Sequence, residues 1–72
     1  MHRLPVLSGK EIIKALAKIG YRPVRQRGSH IRLSHPNKRS VTVPDYRAVG
    51  RGLLNKILRD SELTVEEFDS LL

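Results

Sequence analysis

From His30 to Val43 the side chains alternate in polarity twice, on either side of a Pro36-Asn37-Lys38 turn. Successive side chains of a strand point to opposite faces. The alternation therefore predicts strands at His30 to Ser34 and at Ser40 to Val43, with Ile31, Leu33, Val41 and Val43 on the buried face. His30, Arg32, Ser34, Ser40 and Thr42 must then face the other way. Gly28-Ser29 is a tight turn ahead of the first strand, and Pro44 stops the second. Tyr21 to Arg27 predicts a third strand, which Pro23 confines to a sheet edge or shortens. If Val24 points inward, Arg25 and Arg27 join the outer face beside His30 and Arg32.

Helices flank this β region. Ser8-Gly9-Lys10-Glu11 fits a capping box, in which the serine oxygen and the glutamate carboxylate satisfy backbone N–H groups at a helix start. Leu7 and Ile12 stand at the positions of a hydrophobic staple, and Ile12, Ile13, Leu16 and Ile19 form one apolar stripe. The pattern predicts a helix from Gly9 to Ile19, closed by Gly20 as a left-handed cap with Tyr21 packing back on Leu16. Gly50 to Gly52 opens a second helix with Leu53, Leu54, Ile57 and Leu58 as its stripe. Thr64-Val65-Glu66-Glu67 is another capping box, stapled by Leu63 and Phe68, that starts a short last helix. The order is α-β-β-β-α plus a short α, read as one domain over residues 1–72. The expected class is α+β: a three-stranded antiparallel sheet with the helices on one face, an arrangement like that of a double-stranded-RNA-binding domain.

A chain of 72 residues has a thin core. That excludes a large multi-domain enzyme with a dinucleotide site. No cysteine is present, which excludes disulfides, zinc-thiolate sites and cysteine nucleophiles and suits a reducing cytosol. No apolar run exceeds three residues, Ala15 to Ala17, so neither a membrane span nor the apolar core of a signal peptide is expected. Fourteen Lys and Arg against seven Asp and Glu give a net charge of +7, which points to a polyanionic partner. Residues 1–59 hold every basic side chain and a balance of +12, whereas residues 60–72 carry −5. With three aromatics, Tyr21, Tyr46 and Phe68, there is no base-stacking platform, and backbone contact is favoured over base reading.

His30 is the candidate for chemistry. It follows the Gly28-Ser29 turn and opens a strand among arginines. RNA can be cut without a metal if a base takes the proton from the ribose 2′-hydroxyl, or from water, beside the phosphorus, and neutral imidazole suits that task. Arg25, Arg27 and Arg32 could clamp the phosphate and offset charge developing on its oxygens. A half-exposed strand histidine on a solvated basic face would look the same in sequence. His2 stands near the amino terminus, and His35, bordering the Pro36 turn, reads as an exposed turn residue. Glu11, Glu66 and Glu67 belong to helix starts, and no spacing of histidines and acids matches a metal site. Gly50-Arg51-Gly52 reads as turn glycines ahead of a helix, and Tyr46 as a loop aromatic that could donate a hydrogen bond to a leaving oxygen.

The chain resembles the HicA toxin family, also called YcfA-like, over nearly its whole length. The matching points are the Ser-Gly-Lys-Glu helix start, Ile19-Gly20-Tyr21, Arg25-Gln26-Arg27-Gly28-Ser29-His30, Val41-Thr42-Val43-Pro44, Gly52-Leu53-Leu54 and Glu66-Glu67-Phe68. The resemblance implies a small cytoplasmic ribonuclease that cleaves messenger RNA, needs no cofactor and is held inactive by a HicB antitoxin. It implies that His30 is catalytic. With it go the RNA-binding candidates: Gly28 and Ser29 of the turn, Arg25, Arg27 and Arg32 beside it, and Lys38 and Arg39 in the next turn. The chain departs from the family pattern at three places. Ile31 and Tyr46 stand where the family often has histidines, and Gly52-Leu53-Leu54 replaces Gly-Thr-Leu. Slow turnover is expected if Tyr46 cannot serve as proton donor.

Two other classes fit the same charge pattern. One is a module that holds structured RNA on its basic sheet face without cutting it. The other is a DNA-binding regulator, which fits less well because the sequence marks no recognition helix.

Overall fold

The computed structural model describes residues 6–72; His2 and the rest of the amino-terminal pentapeptide lie outside them. Six elements follow in order: α1 (Gly9–Ala17), β1 (Arg22–Arg27), β2 (His30–Ser34), β3 (Val41–Pro44), α2 (Arg51–Asp60) and α3 (Val65–Asp69). The strands form one antiparallel sheet in the order β1-β2-β3. This is the α+β layout expected from the alternation and the two flanking helices.

Both capping boxes form. Ser8 Oγ accepts from the Glu11 N–H at 3.1 Å, while Glu11 Oε1 accepts from the Ser8 N–H at 2.9 Å. Thr64 and Glu67 make the same reciprocal pair at 3.0 and 2.8 Å. These bonds stabilise the ionised carboxylates, so Glu11 and Glu67 are both held below the ordinary carboxyl range by hydrogen bonding to the capping residue.

α1 ends two residues before Ile19 because its last turn tightens: Lys18 and Ile19 donate to carbonyls three residues back. Gly20, at φ +105°, then takes the left-handed cap position, and the Tyr21 N–H returns to the Leu16 carbonyl at 3.2 Å.

The core lies on one face of the sheet. Leu33, Val41 and Val43 meet Ile12, Ala15 and Leu16 of α1, Leu54, Ile57 and Leu58 of α2, and Phe68 of α3. Ile31 is half-buried against them. The period-two reading of β2 and β3 holds, with His30, Arg32 and Thr42 exposed on the opposite face. Leu53, in contrast, is 43% exposed and takes no part in the stripe of α2.

β1 is the edge strand that Pro23 requires, and every residue in it is exposed. Its pairing with β2 slips by one residue between Pro23 and Arg25. Val24 is the extra residue of this β-bulge and stands 61% exposed rather than in the core. Beyond the bulge, Arg25 pairs with Arg32 and Arg27 with His30, so both arginines reach the outer face although Val24 does not point inward. Among the described residues, no helix is long and apolar enough to cross a membrane.

Candidate active site on the open face of the sheet

Two backbone–backbone hydrogen bonds and one from a side chain hold the end of the sheet where His30 stands. Gln26 Nε2 donates to the Gly28 carbonyl at 3.0 Å and braces the β1–β2 turn. The Asp45 N–H donates to the Ser29 carbonyl at 2.6 Å, which ties that turn to the segment leaving β3. The Gly9 N–H donates to the Tyr46 carbonyl at 2.9 Å, which seats the start of α1 against the same segment. The last approach is so close that a Cβ on Gly9 would collide with the Pro44 carbonyl. Glycine is needed there for space.

On the outer face the register sets two rows of side chains. Arg27 and His30 form one row, Arg25, Arg32 and Thr42 the next. Together they line a shallow open basin of about 220 Å³. Arg32 Nη1 donates to Thr42 Oγ1 at 2.9 Å, which fixes the guanidinium against β3. Among the described residues, no carboxylate is paired with Arg25, Arg27 or Arg32. The Tyr46 ring stands edge-on to the His30 ring, with centroids 6.5 Å apart and planes at 70°. An exposed imidazole, a nearby phenol and three guanidinium groups with no carboxylate partner among the described residues make a site suited to an anionic, proton-exchanging reaction.

Residues 9–63 match the family described as the HicA toxin of bacterial toxin–antitoxin systems. The chain belongs to the HicA toxin family. The matched span covers α1, the three strands and α2, and stops short of α3. No curated protein matches the sequence.

In this HicA-family chain the structure gathers Arg25, Arg27, His30 and Arg32 into one basin, with Gly28 and Ser29 forming the turn that carries His30 and Tyr46 beside it. Lys38 and Arg39 lie elsewhere. They sit in the β2–β3 connection, at the end of the strands opposite His30. Lys38 Nζ donates to the Ser61 carbonyl at 2.8 Å, just past the end of α2, where a cation offsets the negative end of the helix. Arg39 lends its carbonyl to the Tyr21 hydroxyl at 2.8 Å. That phenol is pushed above its ordinary value, first by burial and then by the nearby carboxylates Glu62 and Asp60.

His35 differs from the exposed turn residue expected of it. It is half-buried, its ring 4.9 Å from that of Tyr21. The Asn37 N–H donates to Nδ1 at 3.0 Å, so the ring proton belongs on Nε2, which donates to the Ile19 carbonyl at 2.7 Å. His35 thus joins the end of α1 to the β2–β3 turn. The alternation of β2, continued one residue past Ser34, turns this side chain toward the core side, where both ring nitrogens find partners. Thr42 is the site residue whose part the sequence left unassigned. Alternation placed it on the outer face, but its hydrogen bond to Arg32 depends on the β2–β3 register.

Proposed function

We propose that this HicA-family toxin is a metal-independent mRNA endoribonuclease in which His30 acts as general base and acid. The observation that carries this reading is the exposed His30 imidazole on the same open basin as Arg25, Arg27 and Arg32. The arginines supply what a polynucleotide requires: charge to hold its phosphates and, at the one being cut, donors for the oxygens as negative charge builds on them. His30 would take the proton from the ribose 2′-hydroxyl as that oxygen bonds to phosphorus, or from a water that attacks instead. The P–O5′ bond breaks as the leaving oxygen gains a proton from His30 or from Tyr46. Family membership supports a toxin restrained by an antitoxin. For this chain we assign a HicB-type protein as that partner and the cytoplasm as the place of action. An antitoxin with an acidic surface would cover the basin and keep His30 from RNA.

Labelled messenger RNA incubated with the purified protein in EDTA tests the proposal. Cleavage should persist in the chelator and fall by at least about 100-fold in His30→Ala, in line with the usual worth of a general acid–base group. Retention of RNA without cleavage by the unmodified protein would make the chain a binding module instead. A folded, fully active His30→Ala protein would remove His30 from the mechanism.

A further inference from the structure

We propose that Arg25, Arg32 and Thr42 form a second phosphate subsite, one nucleotide step from His30, and that Thr42 is a positioning residue that aims Arg32 into it. The proposal rests on the reading of His30 as the cleaving residue and divides the basin into two functions.

The argument starts from register. His30 and Arg32 are two residues apart on β2 and share a face, so their rows lie about 7 Å apart along the strand. That spacing is comparable with the step between neighbouring phosphates of an extended polynucleotide. One phosphate can therefore meet Arg27 and His30 while its neighbour meets Arg25 and Arg32.

Charge gives the second part. Arg25 and Arg32 are direct cross-strand partners, an arrangement of like charges that disfavours the sheet. No carboxylate among the described residues relieves it. A bound phosphate would, and two guanidinium forks match its oxygens.

Hydrogen-bond supply gives the third. Thr42 Oγ1 accepts from Arg32 Nη1 at 2.9 Å. The threonine O–H remains to donate, and among the described residues no acceptor meets it. Anchoring one edge of Arg32 to β3 reduces the freedom that guanidinium would lose on binding and leaves its other N–H groups for the ligand.

The test uses full-length protein carrying His30→Ala, so that RNA stays intact, with a dinucleotide (one phosphate) and a trinucleotide (two phosphates) as probes. The trinucleotide should bind roughly tenfold more tightly, the worth of one charge-assisted contact. Its affinity should fall with salt about 0.7 logarithmic units more steeply, as expected for one further phosphate on a single strand. Thr42→Val should abolish both differences, Arg32→Gln should do the same, and Thr42→Ser should restore them. In the His30-containing protein, Thr42→Val should raise KM for cleavage and largely spare kcat, a split that simple loss of folded protein would not produce. Equal binding of the two probes, or a trinucleotide affinity indifferent to Thr42→Val, would overturn the subsite. A loss confined to kcat would place Thr42 at the scissile phosphate and overturn it as well. Two-phosphate binding that depends on Thr42 in a chain that cleaves no RNA would uphold the subsite and refute the nuclease reading alone.

Discussion

Gly9→Ala should unfold this protein more easily, and the size of the effect can be worked out from its surroundings. The new Cβ would land on the Pro44 carbonyl, with Asp45 Cα at 3.0 Å. All of these are backbone atoms, so no side chain can rotate away and the start of α1 must retreat. Overpacking of this kind costs about 1–3 kcal/mol. Losing the bond from the Gly9 N–H to the Tyr46 carbonyl adds about 1 kcal/mol. The better helix propensity of alanine returns at most about 1 kcal/mol. The net loss is about 1–3 kcal/mol, a large fraction of the stability of so small a domain.

Gly52→Ala is the control. Gly52 also lies in the first turn of a helix, but a Cβ there meets open space. It should gain stability, by up to about 1 kcal/mol. Urea unfolding followed by far-ultraviolet circular dichroism measures both, and the two variants should move in opposite directions. If Gly9→Ala matched the unmodified protein, or gained as Gly52→Ala does, the close join between α1 and the end of β3 would not exist as described. Because that join also holds the Tyr46 segment, Gly9→Ala should lower RNA cleavage under conditions where the variant is still folded.

Two further outcomes follow from the same bonding. His35→Ala removes two hydrogen bonds and the contact with the Tyr21 ring, and should cost about 2–3 kcal/mol in urea unfolding while the folded fraction still binds RNA; unchanged stability with lost RNA binding would contradict a structural role. Glu11 and Glu67 have their folded carboxyls held below the ordinary value of 4.5, so the stability they contribute is present above that value and is lost as pH falls through the lower, folded one. Unfolding measured from pH 7 down to pH 3 should show a decline that is shallower when both are changed to glutamine, and identical profiles would refute the contribution of the two caps.

Much of this fold is legible in sequence because its signals are local. A capping box needs four residues and a period-two strand needs five, so Ser8 to Glu11, Thr64 to Glu67 and His30 to Ser34 declare themselves. The bulge at Val24 does not. It arises where β1 must fit Pro23 against β2, and nothing in Pro-Val-Arg marks which residue will be left over. Gly9 reads as part of a helix start, and only the arrival of Pro44 from 35 residues away shows why no larger residue fits. The same limit applies to the basin. The His30–Arg32 alternation and the turn before it are local, whereas the distinction between Arg25, which joins the basin, and Lys38, which holds the end of α2, is set by tertiary placement.

The pleat of this sheet has a practical consequence. Residues 31, 33, 41 and 43 keep the molecule together, whereas residues 30, 32 and 42, interleaved with them, are exposed on the other face. Side chains on the wet side can therefore be exchanged, one or several at a time, with little demand on the dry side. A protein so small has few positions to spare, and this interleaving lets a short stretch of chain serve as scaffold and as working surface at once.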